Sequence, residues 1–188
     1  MFNRNYLLHI VCLCMAVLLI YPAVCLSEDI PASGDMFPSN DLETPEEDVY
    51  QDYLGLDSSK DTFKLKDIQA EFVLVQILSM YCPICQREAE HVNELFRIIE
   101  EESLADRIKL TGIAPGNSAF EVSVFRENYD IPFPIIPDPD YEWHKIMGEA
   151  GTPYFLLVDL DSGKILEDNL GPFGTPREFY ETITQHMD

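Results

Sequence analysis

The chain has 188 residues, of which 34 are Asp or Glu and 12 are Lys or Arg, so its formal net charge is −22. A surface this acidic repels phosphate backbones and anionic lipid, which excludes nucleic-acid binding. The length allows one domain with a substantial hydrophobic core and additional terminal segments.

Residues 1–25 have the pattern of a secretory signal peptide. Arg4 precedes an apolar run over residues 7–20, and small residues follow before the expected cleavage point after Cys25. We therefore expect a periplasmic or other extracytoplasmic location. Without cleavage, residues 7–24 could just span a thin bilayer and act as a membrane anchor.

Cleavage would also simplify the cysteine content. Cys12, Cys14 and Cys25 would leave with the signal, and the mature protein would keep only Cys82 and Cys85. An exported protein with one such pair has no disulfide framework, so its bridge is better interpreted as catalytic than as structural.

Residues 26–61 are rich in acidic residues and proline, and we predict a flexible acidic spacer in which residues 48–56 form a short helix that docks on the domain. Residues 62–188 then form the folded domain. Phe63 and Leu65 alternate with lysines as a short edge strand. Further strands are predicted at residues 72–79, 107–114, 133–136, 154–158 and 164–168.

Helices are predicted between these strands. One follows Pro83, one begins at Asn117 or Ser118 and runs to Tyr129, a short one covers residues 141–147, and the capping box at Thr175 opens the last. This order predicts an α/β fold in which a central mixed sheet carries helices on both faces.

The motif Cys82-Pro83-Ile84-Cys85 lies where the predicted strand at residues 72–79 gives way to a long amphipathic helix. A helix N-terminus favours an anion, and the thiolate is the form of cysteine that attacks disulfides. Pro83 suits the first helical position, because its missing N–H has no partner there. We therefore predict that Cys82 attacks and that the more shielded Cys85 resolves.

Three alternatives remain open for this pair. A structural zinc site needs about four ligands, and neither a second cysteine pair nor histidines with ligand spacing are present. The string Met80-Tyr81-Cys82-Pro83-Ile84-Cys85 also resembles the loop of copper(I) chaperones, whose thiolates suit that metal. The third alternative is a pair of inert core cysteines.

A strand, an aromatic residue, Cys-X-X-Cys, a helix and a distant Thr152-Pro153 before a hairpin together resemble the thioredoxin superfamily. Within it, the chain is most similar to exported TlpA-like thiol-disulfide oxidoreductases over residues 62–187. The resemblance implies a thioredoxin-like three-layer fold. It also implies a cis bond before Pro153, packed against the disulfide, with the Thr152 backbone pairing with the substrate chain.

The same resemblance suggests roles for further residues. Tyr81 would supply an apolar lip and a hydroxyl for the substrate, and Pro83 would lie on the same substrate-binding surface. Gln76 stands where many thioredoxins have a buried acid, so Glu88 becomes the candidate for proton transfer with Cys85. The alternative for Glu88 is an ordinary exposed helix glutamate.

The predicted function is disulfide exchange with protein thiols and disulfides, by a monomer that needs no organic cofactor or metal. A membrane partner would donate or accept electrons. A peroxiredoxin-like thiol peroxidase is a second possibility, because Ser79 lies three residues before Cys82, although Val75 occupies the position where such enzymes have proline. The direction of exchange is not set by the sequence.

Overall fold

The computed structural model describes residues 30–187, so the predicted signal peptide lies outside the described residues. Within this range there are seven strands and five α-helices. The strands are β1 Leu42–Glu43, β2 Thr62–Phe63, β3 Phe72–Ile77, β4 Ile108–Pro115, β5 Ile135–Asp138, β6 Tyr154–Asp159 and β7 Ile165–Leu170. The helices are α1 Asp48–Leu54, α2 Pro83–Glu101, α3 Ala119–Tyr129, α4 Glu142–Ile146 and α5 Pro176–Thr184.

The main sheet is mixed and has the strand order β5-β4-β3-β6-β7. Strands β3, β4 and β5 are parallel, whereas β6 and β7 run antiparallel to their neighbours. The end of β3 therefore lies beside the start of β6, with Ile77 paired to Tyr154. This topology brings the segments after β3 and β4 and the segment before β6 to one edge of the sheet.

Two hydrophobic cores cover the two faces of this sheet. All six residues of β3 are buried, as expected of a central strand with both faces covered. Its alternate side chains enter different cores. Leu74 belongs to the first core, with residues of α2, α3 and α5, whereas Val73 and Val75 belong to the second core, with Leu54 and Trp143. The prediction of a mixed sheet with helices on both faces is confirmed.

Helix starts agree with the local sequence signals. Cys82 is the N-cap of α2 and Pro83 is its first residue. Ser118 caps α3, where its side chain and that of Glu121 form a reciprocal capping box, and Thr175 caps α5. These side chains satisfy backbone N–H groups that have no partner within the first helical turn.

The described part of the predicted spacer is packed against the domain. Helix α1 lies within residues 48–56, where a short docked helix was predicted, but residues 37–43, for which a flexible chain was predicted, are packed as well. Phe37, Leu42 and Leu54 are 6%, 1% and 0% exposed, and all belong to the second core. The indole N–H of Trp143 donates to the carbonyl of Asp41 at 3.0 Å. The acidic side chains face solvent, whereas Phe37, Leu42 and Leu54 are buried, and the burial of these three side chains holds the segment in place.

Two local predictions also change. Thr62–Phe63 pairs with β1 in a separate two-stranded sheet, and Leu65–Asp67 forms a 3₁₀ turn, where an edge strand with Phe63 and Leu65 was expected. Strand β5 begins at Ile135, two residues later than predicted.

Among residues 30–187, no helix combines the length and the apolar character that a membrane span requires.

Candidate active site

Cys82 lies at the edge of the sheet where β3 ends and α2 begins. Its backbone N–H donates to the carbonyl of Ser79 at 3.0 Å, and its side chain, which is half-buried, accepts a hydrogen bond from the backbone N–H of Cys85 at 3.4 Å. The thiol therefore lies directly at the positive end of the helix dipole, as the sequence predicts.

The surroundings of Cys82 favour its thiolate. Partial burial alone would raise the pKa of this thiol, but hydrogen bonds from the Thr152 side chain and from the backbone of Cys85 and Ile84 outweigh burial, and the pKa lies below its ordinary value. A nucleophilic cysteine requires this combination of partial exposure and anion stabilisation.

Cys85 lies one turn further along α2 and has no exposed surface. Burial, together with the neighbouring Cys82 thiol, raises the pKa of Cys85 to about 12. Both cysteines are free thiols in this structure. The two sulfurs thus differ in accessibility and in ionisation, although only two residues separate them.

Thr152 and Pro153 reach the same edge from the segment before β6. The thiol of Cys82 donates to the Thr152 carbonyl at 3.2 Å, and the bond between Thr152 and Pro153 is cis, as the resemblance implied. Pro153 is buried, and its carbonyl accepts from the backbone N–H of Gly171 at 2.8 Å. Residues 70 positions apart in the chain are therefore in direct contact at this edge.

Tyr81 forms an exposed aromatic lip next to Cys82, with 64% of its surface accessible. Its hydroxyl donates to the carboxylate of Glu121, the same residue that accepts from Ser118 in the cap of α3. That bond raises the pKa of Tyr81 and lowers the pKa of Glu121. In this structure the hydroxyl is bound within the protein, whereas the sequence suggested that it was available to a substrate.

Asn117, like Glu121, is a residue of the site that sequence reasoning did not assign to it. It was considered as a helix cap, but Ser118 takes that position, and the buried Asn117 side chain accepts from the backbone N–H of Met80 at 2.8 Å. Gln86 Nε2 donates to the Met80 carbonyl at 2.7 Å. These two bonds fix the loop that carries Tyr81 and Cys82. The sequence signal for this role of Asn117 is its side-chain amide, which comes shortly after the end of a predicted strand.

Glu88 lies three residues after Cys85 on α2 and is buried, with 8% of its side chain exposed. The alternative of an ordinary exposed glutamate is wrong. Its Oε1 lies 3.5 Å from His91 Nδ1, and no described residue offers a hydrogen-bond partner to Oε2. Gln76 is also buried in β3, so the site has no carboxylate at that position.

Sequence comparisons identify relatives of the chain. The AhpC/TSA family matches residues 34–165. A thiol-disulfide oxidoreductase ResA of Bacillus thuringiensis subsp. konkukian is 26% identical over 108 residues, which cover 57% of this chain and 60% of the relative. The matched region thus spans about three fifths of that relative's length.

Structural comparisons identify proteins with the same fold. The thioredoxin domain of a thiol-disulfide oxidoreductase from Bacteroides vulgatus superposes with a TM-score of 0.60 at 16% identity, covering 84% of this chain and 99% of that domain. A Chlorobium tepidum protein provisionally named thiol:disulfide interchange protein DsbE gives a TM-score of 0.62 at 17% identity, covering 83% and 97%. The fold is thioredoxin-like. Because the family match extends over more than half of the chain, this protein belongs to the AhpC/TSA family.

Proposed function

We propose that this protein is an extracytoplasmic thiol-disulfide oxidoreductase that exchanges disulfides with protein substrates through Cys82 and Cys85. The observation that carries the proposal is the contrast between the two thiols: one lies half-buried at a helix N-terminus with a lowered pKa, and the other is buried with a raised pKa. The names of the relatives and the pattern at residues 1–25 support the same assignment.

The reaction proceeds in two exchange steps. The Cys82 thiolate attacks one sulfur of a substrate disulfide, the substrate S–S bond breaks, and the other substrate sulfur leaves as a thiolate. Cys85 then loses its proton and attacks Cys82 Sγ. The mixed disulfide breaks, the second substrate sulfur leaves, and Cys82 and Cys85 become a disulfide. Two electrons pass to the substrate, and the reverse sequence oxidises a dithiol.

The surrounding residues provide binding and proton transfer in this proposal. The Thr152 backbone pairs with the substrate chain beside Cys82, and Tyr81, Pro83 and Pro153 form the surface around it. Glu88 accepts the proton of Cys85 in the second step, because residues three apart on a helix share one face and both side chains are buried. A membrane partner returns the protein to its starting redox state.

Reduction of insulin in the presence of dithiothreitol tests the proposal. We expect the chain that begins at Leu26 to accelerate insulin reduction and Cys82→Ser to have no effect above background. Failure of the parent protein to exchange thiols with any disulfide would contradict the proposal. Consumption of hydrogen peroxide without insulin reduction would indicate a thiol peroxidase, and tight uptake of one copper(I) per pair without exchange would indicate a metal-binding module.

The direction of exchange follows from the reduction potential of the Cys82–Cys85 pair. Known thioredoxin-fold proteins range from about −270 mV for a reductase to about −120 mV for a disulfide donor. Equilibration of the protein with glutathione buffers gives this value directly.

N-terminal sequencing of protein from the extracytoplasmic fraction tests export, and a chain that begins at Met1 would favour the uncleaved anchor.

A further inference from the structure

The carboxylate of Glu88 and the imidazole of His91 form a pair on the first turns of α2. Glu88 Oε1 and His91 Nδ1 are 3.5 Å apart. The glutamate side chain is 8% exposed, whereas the histidine side chain is 48% exposed. Among the described residues, no other charged or polar side chain is bonded to the Glu88 carboxylate. His91 therefore links a buried carboxylate to solvent.

Aromatic residues pack beside His91. The His91 ring lies 6.4 Å from the ring of Phe173, measured between centroids. Phe173 in turn stacks on Phe179 at 4.5 Å and contacts Phe155 edge to face at 5.0 Å. Apolar rings cannot carry a proton, so within this cluster the half-exposed imidazole of His91 is the group with that capacity.

We propose that His91 is a positioning residue that exchanges the proton of Glu88 with solvent during the second thiol exchange step; this inference rests on the proposed function. The Cys85 thiol gives its proton to the Glu88 carboxylate as its sulfur attacks Cys82 Sγ. Glu88 then passes that proton to Nδ1 of neutral His91, and the imidazolium releases a proton to water. The carboxylate is thereby restored for the next cycle.

Single-turnover reaction with the aromatic disulfide dithiobis(nitrobenzoic acid) separates the two exchange steps, because each step releases one coloured thiolate. Attack by Cys82 gives the first release and resolution by Cys85 gives the second. In His91→Ala we expect the first rate to stay within about twofold of the parent, and the second to fall roughly tenfold near pH 7, below the usual 10²–10⁴-fold worth of a direct general base. Added imidazole should restore the second rate, and an unchanged first rate shows that the variant is folded.

A second histidine–carboxylate pair among the described residues offers a matched control. His186 Nε2 lies 3.1 Å from Glu167 Oε2, and neither residue belongs to the site. His186→Ala should leave both releases unchanged. His91→Asn, which keeps a polar side chain of smaller size but cannot titrate, should reproduce the loss seen in His91→Ala and provides a second variant if the alanine protein does not fold.

The outcomes distinguish this inference from the proposed function. An unchanged second rate in His91→Ala, with slow resolution in Glu88→Gln, would overturn the role of His91 and leave the function intact. If the second rate falls and added imidazole does not restore it, the role of His91 would also be overturned, because the slowing would then come from lost packing beside Phe173. A full second release in Cys85→Ser would contradict the proposed function itself.

Discussion

The two cysteines of the Cys-X-X-Cys motif differ in exposure and in pKa, although only two residues separate them. Cys82 lies outside the first turn of α2, where backbone N–H groups and Thr152 surround a half-exposed sulfur. Cys85 lies inside the helix, among the apolar side chains of the first core and one turn before Glu88. One turn of helix therefore separates a sulfur stabilised as a thiolate from one stabilised as a thiol. A stepwise exchange requires this asymmetry.

The largest expected effect of breaking this asymmetry is the loss of one step of the reaction. Cys85→Ser keeps the attacking thiolate but removes the resolving sulfur, so mixed disulfides with substrate proteins should accumulate and be visible on non-reducing gels. Cys82→Ser should trap almost nothing, because the remaining thiol is buried and protonated. Trapping by Cys82→Ser but not by Cys85→Ser would reverse the assignment of the two cysteines.

Removing the carboxylate of Glu88 should slow only the second exchange step, in which Cys85 resolves the mixed disulfide. Glu88→Gln keeps the shape of the side chain but cannot accept a proton, so resolution should slow by about 10²-fold, the lower end of the range for general base catalysis. Attack by Cys82 should be unchanged. Glu90→Gln, an exposed glutamate two residues further on, is the control. Equal slowing of both steps would indicate a structural effect.

A smaller effect is expected at the lip beside Cys82. Tyr81→Phe keeps the aromatic ring but removes its bond to Glu121, and a net hydrogen-bond contribution of about 1 kcal/mol corresponds to roughly a fivefold change. We expect KM for protein substrates to rise by about that factor, with kcat unchanged. Tyr180→Phe on α5 is the control. A change in kcat alone would show that Tyr81 acts in the chemical step.

The sequence predicts the parts of this protein that depend on local signals. The reactive motif, the proline at the first position of α2 and the cap at Thr175 are short patterns whose physical basis lies within one helical turn. The edge of the sheet that gathers Cys82 and Thr152 was accessible only through the family resemblance, because their contact joins residues 70 positions apart.

The missed features depend on tertiary packing. Glu88 looks like a surface residue because it is charged, yet the helix stripe that begins at Cys85 carries it towards the core. The bond between Tyr81 and Glu121 joins the loop before α2 to the first turn of α3, and no local pattern relates these two segments. Before α1, the buried Phe37 and Leu42 are too widely spaced to produce a helix or strand period, so the acidic composition of this segment suggested a flexible spacer.

Competitive alkylation of the reduced protein across a pH series, with mass spectrometry of the two cysteine peptides, tests the difference between the thiols most directly. We expect Cys82 to react with a midpoint below the free-thiol value of about 8.5. With its pKa at about 12, Cys85 should stay almost unlabelled in the folded protein until the pH is well above that of Cys82. A shared midpoint, or earlier labelling of Cys85, would contradict the division of the motif into an attacking and a resolving thiol.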